Sequence, residues 1–314
     1  MDLITEPGTV DDLVGDAAAA GYRATVRLIR DWTEAGLLDK PQKRPAGKGH
    51  GSAPALYSAN QRSLLLTLLH HRPGNNIASL ARIPVAIWMY WGEEWVPLRQ
   101  ARRAFMRFLG DPTSKTYAQD AKRASKDRSE AVARAILGQL DNPAATTHAR
   151  RELLAAVTDA AYRGEPDLER LEFAFRQVFE PGNSPIHRAT GHPSAPLTID
   201  GMIGLIEARI AAVTALTTGS VSDAALISAR DAHVFNYAEY ATKQHLLAAS
   251  APAGARNMYE PVTAEDTLSN CCGHLLTALG LEILHPDMAA RMRGERAFRR
   301  RPTPAMIGLT SARV

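Results

Sequence analysis

Apolar residues recur at helical spacing along most of the chain, and this pattern predicts a mainly α protein. Near the N-terminus one helix face carries an apolar stripe, formed by Val10, Leu13, Val14, Ala17 and Ala18. Thr9 precedes this stripe as a helix N-cap, and Gly21 follows it as a stop. Alanine dominates many later segments while runs of Val and Ile are scarce, which favours helix over sheet.

A second short helix is predicted from Thr25 to Ala35, with Gly36 after its end. Its apolar side chains can pack inward, which leaves Arg27 and Arg30 toward solvent or a partner. Two short helices joined by a tight turn are typical of a helix-turn-helix, whose second helix enters the major groove of DNA.

The stretch from Asp39 to Leu56 predicts a basic hairpin, because its glycines and prolines disfavour a helix. Its cations are Lys40, Lys43, Arg44 and Lys48. A basic hairpin beside a recognition helix forms a wing that is suited to phosphate contact. Ser58 then caps a third helix, whose leucines can close a small core.

These elements resemble the DNA-binding module of the MerR family. The block from Ile29 to Leu38 has the family's apolar residue, arginine, two positions that are usually aromatic, and Gly-Leu-Leu. Asp31 replaces one of those aromatic residues, and the wing is longer and richer in glycine than is typical. Further matches lie at the start and end of the wing and in the next helix, at Pro41, Arg44, Tyr57, Arg62 and Leu65.

The resemblance covers about the first quarter of the chain and implies a winged helix-turn-helix that binds double-stranded DNA. It implies that Thr25, Arg27 and Arg30 face the groove and that Lys43, Arg44 and Tyr57 contact the DNA backbone. Lys48 and Arg62 complete the predicted DNA-binding set. MerR-like proteins often twist or bend promoter DNA as dimers, and they usually carry an effector region after this module.

The remainder divides into two predicted regions. Residues 1–73 form the DNA-binding domain, 74–180 a helical connector or dimerisation region, and 181–314 a helical C-terminal domain with a basic tail. The stretch from Pro181 to Pro196 is the clearest linker. Helices are predicted at Leu98–Leu109, Thr116–Leu140, His148–Arg163, Asp167–Phe179, Thr198–Leu216, Ser222–Ala249 and Thr263–Leu284. The first two are basic, and could either extend a phosphate-contacting surface or be solvated helix faces.

Three of the four tryptophans lie close together, with Trp88, Trp91 and Trp95 at the i, i+3, i+7 spacing of one helix face. This cluster has two interpretations. It could form an aromatic pocket for an apolar or cationic small-molecule effector. The alternative is a buried core or a dimer interface, where large aromatic side chains contribute most of the buried area.

Charge favours an anionic partner. The chain has 37 Lys or Arg and 33 Asp or Glu, for a net charge of +4. The charge is uneven, since residues 21–72 hold nine basic and three acidic residues, a local net charge of +6. Basic patches of this kind are typical of nucleic-acid binders.

Other chemistry has no support in the sequence. There is no His-x-x-x-His or paired-cysteine metal spacing, and no Walker A, Gly-x-Gly-x-x-Gly or Gly-x-Ser-x-Gly motif, so we predict no metal, no cofactor and no enzyme activity. The only cysteines, Cys271 and Cys272, are either small buried apolar residues or sensing thiols. The N-terminus lacks a signal peptide and no apolar run spans a bilayer, which predicts a cytoplasmic, nucleoid-associated protein without a membrane partner.

The sequence therefore predicts a homodimeric, sequence-specific transcriptional regulator whose helical C-terminal part supplies dimerisation or an effector site. The alternative is an architectural protein, such as a plasmid-segregation or excisionase-like factor, that assembles nucleoprotein complexes. A third interpretation is a protein-binding scaffold, in which the surface arginines are simply solvated.

Overall fold

Helices dominate the part of the chain that the computed structural model describes, so the mainly α class predicted from the sequence is confirmed. The described residues are 4–45, 52–110, 145–163, 167–179, 189–192, 195–250, 263–297 and 302–303. The basic helix predicted at Thr116–Leu140, the wing residue Lys48 and the arginines at positions 299–301 lie outside them. No helix in these ranges is long and apolar enough to cross a membrane.

The first five elements follow the order that the sequence predicts: α1 (Val10–Ala19), α2 (Val26–Glu34), β1 (Gln42–Pro45), β2 (Ser52–Leu56) and α3 (Ala59–His71). Each of the three helices is preceded by an N-cap residue whose side chain accepts a hydrogen bond from a backbone N–H of the first turn. Thr9 and Asp12 form a capping box on α1, Thr25 accepts from Leu28 at 3.1 Å, and Ser58 accepts from the amide of Gln61. Local capping therefore fixes where these helices start.

The remaining described elements are again mostly helical. They are α4 (Ile77–Leu80), α5 (Arg82–Tyr90), α6 (Leu98–Leu109), α7 (Thr147–Arg163), α8 (Leu168–Phe179), β3 (Ala189–His192), β4 (Ala195–Thr198), α9 (Ile199–Thr217), α10 (Asp223–Ser250), α11 (Ala264–Leu284) and α12 (Pro286–Ala297). The predicted linker overlaps an antiparallel β3–β4 hairpin, whose second strand runs two residues past Pro196. The sequence also missed α12, whose charged composition gives only a weak apolar period.

The main hydrophobic core joins the N-terminal elements to the C-terminal helices. Its buried members come from α1, α2, α3, α5 and α6 and also from α9, α10 and α11, among them Leu13, Ile29, Leu65, Trp88, Phe105, Leu226 and Leu279. The cluster is continuous across the predicted boundaries at residues 73 and 180. A second, smaller cluster lies between α7, α8 and the start of α9, around Leu153, Leu171 and Phe175.

Two glycines permit close approach between helices. Gly36, just after α2, has a φ of +81°, and a Cβ there would lie 2.7 Å from Cβ of Arg103 on α6. On α11, a Cβ at Gly280 would overlap the carbonyl of Ala208 on α9. Both sites therefore require glycine, since a larger side chain would push the packed helix away.

Candidate nucleic-acid interface

The predicted recognition helix α2 is anchored on one face and exposed on the other. Ile29 and Trp32 are buried in the main core, while Arg27 and Arg30 are exposed. Nine residues suffice for this division, because side chains three and four positions apart share a helix face. A helix anchored in this way presents its polar face in one fixed orientation.

A buried polar contact fixes the end of α2. The Thr33 hydroxyl donates to the carbonyl of Ile29 at 2.8 Å, and it lies 3.0 Å from the hydroxyl of Tyr57. Tyr57 is only 4% exposed and pairs through its backbone with Gly8. A phosphate contact by Tyr57, as predicted, would need an exposed side chain, whereas the structure places this side chain in the core.

Arg62 is likewise occupied within the protein. Its guanidinium donates to both carboxylate oxygens of Asp16, at 2.7 and 2.8 Å, and to the carbonyl of Glu6 at 2.8 Å. Its side chain is only 16% exposed. This bidentate pair joins α3 to α1 and raises the pKa of Arg62. The side chains of Tyr57 and Arg62 are therefore both occupied by contacts within the protein.

The other predicted contact residues are at the surface or have local roles. Arg27 is 92% exposed and lies 3.9 Å from Asp31, one turn further along α2. Thr25 is exposed and serves as the α2 N-cap. On the β1–β2 hairpin Lys43 is exposed, and the Arg44 guanidinium donates twice to the carbonyl of Pro54 at 3.2 Å, which braces the hairpin.

The basic face predicted on α6 is mostly used within the protein. Arg99 contacts the buried carboxylate of Asp39 at 2.6 Å, and this hydrogen bond raises the pKa of Arg99. Arg102 pairs with Asp223, while Arg103 donates to the carbonyl of Thr33 at the end of α2 and to that of Leu38 after it. Three arginines of α6 therefore make contacts within the protein, although the side chain of Arg99 stays 68% exposed, so neither interpretation of α6 is favoured.

The sequence did not indicate the polar network beside these arginines. Gln61 donates to Gln100 at 2.8 Å and to the carbonyl of Trp95, and it accepts from the backbone N–H of Asp39 at 2.7 Å. Gln100, which is fully buried, donates to the carbonyl of Leu37 at 2.9 Å. In the connection between α2 and β1, the network satisfies the backbone N–H of Asp39 and the carbonyl of Leu37.

The tryptophans do not share one helix face, so that prediction from their spacing is wrong. Helix α5 ends at Tyr90, and Gly92 adopts a φ of +103°, which turns the chain. Trp88 is fully buried in the main core, and Trp91 and Trp95 pack against the same core while partly exposed. Trp88 thus takes the position that the core interpretation predicts, and an effector role for the three residues stays a prediction.

An aromatic and histidine cluster lies where α5, α10 and α11 meet. The hydroxyl of Tyr90 lies 2.9 Å from Nε2 of His233, and the rings of His233 and His274 stack with their centroids 4.9 Å apart. Burial lowers the pKa of His233 to about 3, and burial also lowers the pKa of His274. The imidazoles of His233 and His274 are therefore both neutral near pH 7. In the same cluster, the Arg230 guanidinium lies over the ring of Trp88, 4.8 Å from its centroid.

The two cysteines lie in the same interior. Cys271 and Cys272 are both fully buried, and the Cys271 thiol donates to the carbonyl of Leu268. This agrees with the interpretation of small apolar core residues. Among the described residues, no group of three or more His, Cys, Asp or Glu side chains is placed to hold a metal ion.

Comparison of the chain with protein-family models, curated proteins and solved structures finds no match.

Proposed function

We propose that the protein is a sequence-specific regulator that binds double-stranded DNA through α2 and the β1–β2 hairpin. The observation that carries this proposal is the exposed pair Arg27 and Arg30 on a helix whose opposite face is buried in the main core. In this proposal α2 enters the major groove, where arginine is suited to bidentate contact with guanine.

The hairpin supplies the phosphate contacts. Lys43 is exposed on β1, and Lys40 is exposed just before it. Such contacts fix the register of a protein on the duplex without reading sequence, so the base contacts are assigned to α2. The resemblance of this region to MerR-like modules supports the same assignment.

The regulator is proposed to act as a homodimer. A single α2 covers only a few base pairs, and helix-turn-helix proteins commonly read two half-sites related by a two-fold axis. Sedimentation of the full chain, alone and with DNA, measures this directly. A complex with one protein chain per specific duplex would overturn the dimer.

The DNA proposal is tested by selecting duplexes from a random pool with the full chain and footprinting the enriched sequence at about 50 and 200 mM salt. We expect a discrete footprint with inverted symmetry that survives the higher salt. Diffuse, steeply salt-sensitive binding would favour the architectural alternative. The scaffold interpretation predicts no binding above that of an unrelated protein of equal charge.

A matched pair of double variants separates the α2 surface from general charge. Arg27→Ala with Arg30→Ala removes two exposed cations from α2, whereas Arg107→Ala with Arg291→Ala removes two exposed cations from α6 and α12. We expect the first to abolish preference for the selected duplex and the second to retain it. Equal losses would show that α2 has no special role.

A further inference from the structure

Helix α6 contacts both the end of the predicted recognition helix and the C-terminal helices, through adjacent arginines. Arg103 donates to the carbonyl of Thr33, at the end of α2, at 3.0 Å and to that of Leu38 at 3.4 Å. Its guanidinium is also 3.6 Å from the carboxylate of Asp39. One side chain thus spans the connection from α2 to the hairpin.

Arg102 makes a corresponding set of contacts at a distant part of the chain. It donates to the carbonyl of Val221 at 2.6 Å and to the carboxylate of Asp223 at 3.0 Å, between α9 and α10. Val221 belongs to the main core, so this turn is not a loose surface loop. Both guanidiniums are partly buried, with side chains 30% exposed.

The packing beneath the arginines leaves little room for independent movement. Gly36 lies against the backbone of Arg103 and Ala104 so closely that only a glycine fits. Gln100, one turn earlier on α6, holds the carbonyl of Leu37. The amides of Leu37 and Leu38 both donate to the carbonyl of Trp32 on α2. Any shift of α6 must therefore move this connection with it.

We propose that Arg102 and Arg103 are positioning residues for the DNA-binding surface, which couple the α9–α10 turn to the α2–β1 connection through α6. This inference rests on the proposed function for its DNA readout. Neither arginine contacts DNA in this arrangement. Arg103 holds the α2–β1 connection and Arg102 holds the α9–α10 turn, so a shift of the C-terminal helices is passed to the DNA-binding surface through α6.

Hydrogen exchange of the full chain without DNA tests the coupling. The amides of Leu37, Leu38 and Asp39 report on the connection, since all three are hydrogen-bonded. We expect Arg103→Met and also Arg102→Met to speed their exchange about tenfold, with the amides inside α3 unchanged. The control is Arg107→Met, at an exposed position of the same helix, which is expected to change the exchange neither of Leu37, Leu38 and Asp39 nor of the α3 amides.

The specificity readout separates positioning from general stability. We expect Arg102→Met and Arg103→Met to keep the melting temperature of the parent protein. We also expect each to bind the selected duplex about tenfold more weakly than the parent does, and a random duplex as tightly as the parent does. Arg103→Lys retains one cation but cannot span both carbonyls, so we expect an intermediate loss. This milder variant also serves if Arg103→Met does not fold.

Two results would overturn the proposal. One is exchange at Leu37–Asp39 within about twofold of the parent in the Arg103 variants. The other is faster exchange in Arg102→Met only at the α9–α10 turn, which would show that α6 does not couple this turn to the α2–β1 connection. If the parent protein binds no duplex, the proposed function fails, and the exchange measurement alone still decides the coupling.

Discussion

Helices α2 and α6 both combine an apolar face with arginines, but α2 also carries the acids Asp31 and Glu34, whereas the residues of α6 include no acid. The structure uses them differently. On α2, Arg27 and Arg30 remain at the surface, and Arg27 lies 3.9 Å from Asp31 on the same helix. On α6, Arg99, Arg102 and Arg103 make tertiary contacts.

The difference lies in the partners. Asp39 is 60 residues from Arg99 along the chain, and Asp223 is 121 residues from Arg102. Folding brings these acids to α6 and brings none from another element to α2 among the contacts of the described residues. A basic helix is therefore a candidate DNA surface only after the positions of distant acids are known.

The largest expected effect tests whether the polar side of α6 is structural. Gln100→Ala leaves the carbonyl of Leu37 and one amide hydrogen of Gln61 without partners in a fully buried site. We expect a loss of about 3 kcal/mol in the free energy of unfolding, measured by urea denaturation. Arg107→Ala, on the exposed side, should change it by less than about 0.5 kcal/mol. Equal small losses would mean that the network does not hold α6 in place.

The second prediction extends the comparison to the interior histidines. The pKa of His233 is about 3 when folded and 6.5 when free, so the unfolded chain binds more protons between these values. Stability is therefore complete above about pH 6.5 and falls as the pH drops toward 3. Between pH 7 and pH 5 we expect a loss of about 2 kcal/mol from this residue.

Urea unfolding across this pH range measures the effect, and His233→Gln should flatten the dependence. The control is His245→Gln, which changes an exposed histidine on the same helix and should leave the slope unaltered. Parallel curves for the parent and His233→Gln would contradict the burial of a neutral imidazole.

The third prediction concerns α2 itself. Arg30→Ala should weaken binding to the selected duplex about tenfold and leave binding to a random duplex nearly as before, because this exposed side chain is proposed to contact a base edge. Fluorescence anisotropy at several salt concentrations measures both quantities. The melting temperature should not change, in contrast to Gln100→Ala. Arg291→Ala on α12 is the equal-charge control.

The smallest expected effect concerns Asp31, the acid one turn from Arg27 on α2. Asp31→Asn removes a negative charge that would face the DNA and frees Arg27 from a weak surface pair. We expect affinity for the selected duplex to rise about two- to threefold, more at low salt than at high salt. Glu169→Gln on α8, another exposed helical acid, provides the comparison. A decrease in affinity would place Asp31 in base recognition instead.

Much of the local structure could be predicted from the sequence, because its causes are local. Thr9, Thr25 and Ser58 cap helices within three residues of their own positions, and the apolar periods predict most later helices to within a few residues. The hairpin β3–β4 and the helix α12 were missed, since short strands and a helix with a weak apolar face leave little pattern to read.

The candidate surface was only partly predictable. Exposure of Arg27 and Arg30 follows from their spacing around Ile29 and Trp32, which sequence periodicity displays. The contacts of Tyr57 with Thr33 and of Arg62 with Asp16 join residues 24 and 46 positions apart, and no local rule indicates them. The resemblance assigned DNA contacts to side chains that this structure uses to join its own elements.

The sequence by itself determined the helical class, the helix starts and the exposed face of α2, because capping and helical periodicity act over a few residues. Only the tertiary structure decided which charges remain at the surface, where the tryptophans lie and which distant segments α6 joins. Charge pairing and burial depend on elements that fold together from remote parts of the chain, and this proximity is not written in any single segment.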